Sequence, residues 1–275
     1  MYEGKTVVVT GGSSGIGLAT ARAFAAKGAD IAIVARNLQK LERAKVELEK
    51  VRVSPAQRFT TVSTDLSDGD AAQSAADSLV EQGFLPDILV NSAGVIIPGE
   101  FVKMTPEEFD HNFLNGFDSV VHPCRAFAPR MIERGSGHIV NVSSVAGFLG
   151  IYGYTGYAAA KYAVMGFSEA LRFELRPNGV HVHVACPPDT DTPGLAYEKT
   201  LRPPETERIA GTIEAIPPER VADAIVRGVR KDSHYIIPDF TSRFYFRLKG
   251  LWPELFFAIV DRDVRKARHE RENGT

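Results

Sequence analysis

The stretch Thr10-Gly11-Gly12-Ser13-Ser14-Gly15-Ile16-Gly17 constrains this chain more than any other. It follows the apolar run Lys5 to Thr10 and precedes a segment, Ile16 to Lys27, whose pattern reads as a helix. A short apolar run bounded by glycine is expected to form a strand covered on both faces, because parallel strands buried in this way lose their polar alternation. Strand, glycine turn and helix in that order leave unpaired N–H groups at the helix start. An anion such as a pyrophosphate is held there, and the glycines let backbone come close to it. The chain is therefore expected to open with a dinucleotide-binding unit.

The rhythm continues. Ile31 to Ala35 reads as a strand, Leu38 to Val51 as a helix, Phe59 to Thr64 as a strand, Gly69 to Glu81 as a helix and Ile88 to Asn91 as a strand. Pro106 to Met131 reads as a long helix interrupted at Gly116 and Pro123. The apolar run His138 to Ser143, a helix from Tyr157 to about Leu175 and a strand Val180 to Val184 follow. Strands alternating with helices predict an α/β fold with a Rossmann-type, doubly wound parallel sheet. No internal repeat or linker divides residues 1–240, so a single domain is expected, with a helical lid at about 192–216 and a C-terminal extension over 241–275.

Several functions are disfavoured by composition. A net charge of −2 argues against a nucleic-acid binder. Cys124 and Cys186 lie far apart, without the spacing of a disulfide framework or a zinc site. His181 and His183 share one strand face, but no third ligand stands at a fitting distance in sequence, so a structural role is expected and no metal. The first residues lack the pattern of a signal peptide, which leads us to expect a reducing, cytoplasmic location.

Two patterns carry chemistry. After the second strand, where a chain selecting NAD places an acidic residue, this one has Arg36-Asn37, with Lys40 one turn on. A guanidinium pairs bidentately with a 2′-phosphate, so NADPH is the expected cofactor. Asp65, after the third strand, is placed either to accept from an adenine amino group or to cap the next helix. In Tyr157-Ala158-Ala159-Ala160-Lys161 the phenol and the ammonium are four residues apart and share a helix face. A cation held beside a phenol pulls its pKa toward the working range of a general acid.

Thr10-Gly11-x-x-x-Gly15-x-Gly17, Asn91-Ser92-Ala93-Gly94, Ser144 and Tyr157-x-x-x-Lys161 together resemble the short-chain dehydrogenase/reductase family over roughly residues 4–240. The resemblance implies hydride transfer between a nicotinamide and a carbonyl carbon. Tyr157 would be the proton donor, Ser144 would hold the carbonyl oxygen, and Lys161 would lower the tyrosine pKa and bind the nicotinamide ribose. Residues implied to contact the cofactor are Gly11, Ser13, Ser14, Gly15, Ile16, Gly17, Arg36, Lys40, Asp65, Leu66, Asn91, Ala93, Gly94, Tyr157, Lys161, Pro187 and Thr192. A fourth catalytic residue falls on Gly116 by the family's spacing, one position after Asn115, and the choice between them stays open.

Pro187-Pro188-Asp189-Thr190-Asp191-Thr192-Pro193-Gly194, Val34-Ala35-Arg36-Asn37 and Pro204-Glu205-Thr206-Glu207 resemble more narrowly the branch that reduces 3-ketodihydrosphingosine. That branch implies a substrate with a long alkyl chain, whose ammonium Glu198, Glu205 or Asp191 would meet. Two other readings stay open: a reductase of another apolar ketone (3-oxoacyl, steroid or retinoid), and a catalytically silent NADPH sensor. The family also implies a dimer or tetramer. Beyond Ile237 the chain turns aromatic and basic. Its longest apolar run falls short of the roughly 20 residues that cross a bilayer. The tail is expected either to lie peripherally on a membrane or to pack on the domain or a second subunit.

Overall fold

The computed structural model describes residues 2–203, 205–207 and 214–272. Seven strands form one parallel sheet: β1 (Thr6–Thr10), β2 (Asp30–Ala35), β3 (Phe59–Ser63), β4 (Ile88–Asn91), β5 (Gly137–Val142), β6 (Val180–Ala185) and β7 (Tyr235–Ile236). Their order is β3-β2-β1-β4-β5-β6-β7. The sequence reading of a doubly wound α/β fold holds. Strand order reverses between β1 and β4, and the register pairs Thr10 with both Val34 and Asn91, so the C-terminal ends of these strands lie at one edge. In open α/β sheets the crevice outside such an edge receives the ligand.

Helices cover both faces: α1 (Gly15–Ala25), α2 (Leu38–Glu49), α3 (Gly69–Glu81), α4 (Pro106–Phe113), α5 (Ser119–Arg134), α6 (Thr155–Leu175), α7 (Pro193–Lys199) and α8 (Pro218–Arg230). Val7, Val9, Ile31 and Ile33 face Phe24 of α1, Leu41 of α2 and Ile225 of α8. Val8, Ala32 and Leu89 face Leu79 of α3 and Phe127 and Met131 of α5. Successive side chains on a strand point to opposite faces, and both are apolar because both are covered.

The long helix expected over Pro106 to Met131 is two helices joined by a π-helical turn, Leu114–Asp118. Pro123 does not interrupt it but lies inside α5. The break comes earlier, where the Asn115 carbonyl takes the Ser119 hydroxyl at 2.6 Å. Asp68, not Asp65, caps α3, accepting from the backbone of Asp70 and Ala71.

The tail forms two helices, α9 (Phe240–Leu251) and α10 (Pro253–Glu272). Phe256 is buried in a cluster with Val120, Phe148, Val164 and Val184, so the extension packs on the rest of the fold through one face. Lys249 Nζ fixes it further, donating to the Phe148 carbonyl at 2.7 Å. Among the described residues no helix is long and apolar enough to cross a membrane.

Candidate active site

A cavity of about 550 Å³ opens at the C-terminal edge of the sheet. Its floor is the turn after β1. A Cβ at Gly17 would lie 2.3 Å from the Gly11 carbonyl oxygen, so α1 can start only this close to β1 without a side chain there. Gly15 has φ +54°, and a Cβ on it would meet Thr192 Cγ2 at 3.0 Å. Ser14 caps α1 in extended conformation without a side-chain hydrogen bond. The first turn of the helix, Ser14 to Gly17, thus lines the cavity, with glycine at two of its four positions. A cradle that a Cβ would fill, at a helix N-terminus, fits a dinucleotide pyrophosphate.

Of the residues implied to touch a cofactor, Gly11, Ser13, Ser14, Gly15, Ile16, Gly17, Arg36, Lys40, Asp65, Leu66, Ala93, Gly94, Tyr157, Lys161, Pro187 and Thr192 all line this cavity. Asn91 does not. Its amide donates to Asn141 Oδ1 at 2.9 Å and to Cys124 Sγ at 3.2 Å, which turns the side chain into the sheet, and Ser92 takes its place on the wall. Arg36 and Lys40 are exposed at one end of the cavity, where a phosphate would remain partly solvated. Asp65 accepts from Ser67 N at 3.0 Å and Ser67 Oγ at 2.7 Å. The Ser67 backbone bond, its hydroxyl and the Arg36 charge hold the carboxyl below its usual range.

The chemical end of the cavity is built on β5 and α6. Ser144 follows β5 and caps a single 3-10 turn by accepting from Ala146 N at 3.1 Å. Its hydroxyl neighbours the Tyr157 phenol and opposes the rise in that group's pKa. Ser143 turns the other way, donating to the Lys161 carbonyl at 2.9 Å, and is structural. Tyr157 and Lys161 sit on one face of α6, the ammonium 5.7 Å from the ring centre. Lys161 is buried and donates to the Val142 carbonyl at 3.1 Å, and burial pushes its pKa down to about 8.

Tyr157 departs from the sequence expectation. Burial raises its pKa, the neighbouring Ser144 hydroxyl opposes this, and the Glu198 and Asp189 carboxylates raise it further. The raised pKa favours the neutral phenol, the form a proton donor must have.

Around Gly94 the fourth position becomes legible. A Cβ on this glycine would lie 3.6 Å from Lys161 Nζ and 3.8 Å from the Asn115 carbonyl oxygen, so both flank it. Asn115 lines the cavity; its side-chain amide turns back to His111, donating to that carbonyl at 3.0 Å. Gly116 instead packs against Ala160, its Cβ position 2.8 Å from that methyl group. The π-turn thus places the Asn115 backbone carbonyl, which accepts from Ser119, beside Gly94, and turns its side chain back to His111.

The lid contributes residues that sequence patterns did not single out. Arg202, with its side chain 1% exposed, bridges Asp189 Oδ2 at 2.7 Å and Glu198 Oε1 at 2.6 Å. The Tyr154 hydroxyl also donates to Glu198 Oε1, and the Tyr154 ring stands edge-on to Tyr157 with centroids 5.9 Å apart. Of the three acidic residues proposed to meet an ammonium, only Glu198 lines the cavity. Asp191 is exposed outside it and Glu205 is buried away from it. The part of the expected lid at Pro204 and at 208–213 lies outside the described residues. From the tail, Tyr245, Phe256, Ile259 and Val260 close the far side with apolar surface.

His138 Nδ1 and His183 Nε2 are 3.0 Å apart, and His183 Nδ1 donates to the Ser233 carbonyl at 2.7 Å. Among the described residues no group of three or more possible ligands could hold a metal ion, and these histidines pair with each other instead.

A family model described as short chain dehydrogenase matches residues 5–201. A *Bos taurus* protein named 3-ketodihydrosphingosine reductase is 42% identical over 225 residues, which cover 82% of this chain and 68% of that one. A *Dictyostelium discoideum* protein of the same name is 33% identical over 274 residues, covering 94% and 82%. Among solved structures, the short-chain dehydrogenase from *Sphingobium yanoikuyae* in complex with NADPH superposes with a TM-score of 0.76 at 28% identity, covering 92% of this chain and 94% of that one. With a family model spanning most of its length and relatives at this identity, the chain belongs to the short-chain dehydrogenase family.

Proposed function

We propose that this protein reduces the 3-keto group of 3-ketodihydrosphingosine to dihydrosphingosine with NADPH. One observation carries the reading: the cavity joins the Tyr157 phenol and the Ser144 hydroxyl to an apolar wall at its far side. The names of the relatives, at 42% and 33% identity, support the same substrate. Arg36 and Lys40, with no acidic residue between them, support NADPH over NADH.

When bound, the nicotinamide supplies a hydride to the carbonyl carbon. As negative charge develops on the carbonyl oxygen, the Ser144 hydroxyl holds that oxygen and Tyr157 transfers its proton to it. Lys161 holds positive charge beside the phenolate left behind, and the Asn115 carbonyl orients the ammonium. Thr192 closes the cofactor end beside Gly15. Glu198 keeps one carboxylate oxygen, Oε2, clear of the bonds that Tyr154 and Arg202 make to Oε1. That oxygen is offered to the ammonium of the substrate.

Residues 1–240 form the catalytic unit in this reading, with the lid at about 192–216, and 241–275 the extension. The tail makes a peripheral contact with a membrane, and the enzyme works as a dimer or tetramer at the cytoplasmic face. Substrate profiling tests the reading. NADPH oxidation is expected with detergent-dispersed 3-ketodihydrosphingosine well above that with 3-oxoacyl, steroid or retinoid ketones, and well above NADH oxidation. Preference for one of the other ketones would replace the substrate, and silence on all of them with NADPH bound would favour a sensor.

A further inference from the structure

We propose that α9 and the first turns of α10 dock on an anionic lipid bilayer and set the mouth of the cavity against it. Phe240, Phe244, Leu251, Trp252 and Leu255 are 77%, 52%, 67%, 61% and 53% exposed. Phe240, Phe244 and Leu251 recur on one face of α9, and Trp252 and Leu255 carry the stripe across the joint onto α10. Scattered exposed apolar side chains are ordinary; a contiguous stripe of five large ones marks a contact surface.

Charge identifies the occupant. Between residues 240 and 266 there are six basic and three acidic residues, in a chain whose net charge is −2. Arg243 and Arg247 are exposed along the α9 stripe, and Arg262, Arg265 and Lys266 follow on α10. Apolar side chains in the acyl boundary with arginines at phosphate level is the arrangement of an interfacial helix. A second copy fits less well, because a two-fold contact brings each patch against itself and sets these arginines near their own counterparts.

The adjoining face of α10 gives the contact a purpose. Phe256, Ile259 and Val260, spaced three and four residues apart, line the cavity. Leu255 stands one turn before Ile259 on α10, so the exposed stripe runs up to the rim of the catalytic chamber. A ketone dissolved in the bilayer would reach Tyr157 along apolar surface without crossing water. This last point rests on the substrate proposed above; the docking itself does not.

The test is co-sedimentation of the full chain with phosphatidylcholine vesicles, with and without phosphatidylglycerol. Wild type is expected to pellet with the anionic vesicles only, and less so as salt is raised. The variant F244S/W252S/L255S, altered only at exposed positions outside the cavity, is expected to stay in the supernatant. It should reduce a short water-soluble ketone within about twofold of wild type, as surface substitutions do, and a vesicle-borne ketone at least about tenfold more slowly. Absence of wild type from anionic vesicles, or equal capture of wild type and variant, would overturn the proposal. So would a wild-type dimer, seen by ultracentrifugation without vesicle capture, that the variant abolishes, since the stripe would then belong to a second copy. Vesicle capture without reduction of any lipid ketone would uphold docking and count against the substrate, so the two failures separate.

Discussion

The two ends of the cavity are made of different material. The cofactor end is backbone at its floor, in the turn from Gly11 to Gly17 and the segment Ser92 to Gly94, with the Arg36 and Lys40 side chains at its rim, all from the first half of the chain. The substrate end is side chains: Tyr154, Tyr197, Glu198, Tyr245, Phe256 and Ile259, drawn from the second half of the chain. Backbone binding leaves room for few residue types at each position, whereas a side-chain wall can be remade to suit another substrate. The first end therefore reports the family and the second the ligand, with Ser144, Tyr157 and Lys161 between them.

Substitutions at the two ends should separate along this line. The largest effect belongs to Gly17→Val, whose Cβ would overlap the Gly11 carbonyl at 2.3 Å. Calorimetry is expected to find no NADPH binding, and stability should fall by about 1–3 kcal/mol as in other overpacked sites. Ser144→Ala should bind NADPH normally and lose about 10²–10³ in kcat, the usual cost of one oxyanion donor. If binding falls as far as turnover, the two ends are not separable.

Smaller effects sharpen the contrast. Arg36→Ala should raise KM for NADPH about tenfold and leave KM for the ketone alone. Glu198→Gln should do the reverse, raising KM for the aminoketone by about tenfold with kcat nearly kept, and should leave the des-amino ketone little affected. Equal losses on both ketones would reduce Glu198 to an anchor for Arg202. Last is a pH effect. The pKa of Lys161 is pushed down to about 8 by burial, so above that value the lysine loses the charge that supports the departing proton. kcat/KM for reduction, which reports the free enzyme, should fall as pH rises through this range. A profile flat through it would remove Lys161 from that role.

The same division explains what could be read from the sequence. Strand, glycine turn and helix are adjacent in the chain, and Tyr157 and Lys161 are one helical turn apart, so local spacing revealed them. The side chain of Asn91, expected to contact the cofactor, turns into the sheet, because a strand-end side chain has two faces to choose from and Asn141 and Cys124 claim this one. Asn115 and Gly116 could not be told apart by counting, since the π-turn inserts a residue into the helical register. Tyr154, Asp189 and Arg202 meet only through the folded lid, and Phe256 meets Phe148 only after the tail folds back. Contacts over such separations leave no periodic trace in sequence.

The most direct measurement is NADPH oxidation with detergent-dispersed 3-ketodihydrosphingosine by wild type and by Tyr157→Phe, with NADPH binding to both measured alongside. Equal binding with turnover lowered by about 10²–10⁴ in the variant is the expected result, the contribution of a positioned general acid. Turnover by Tyr157→Phe near the wild-type rate, with binding intact, would contradict the account, because the proton would then reach the carbonyl oxygen from another group.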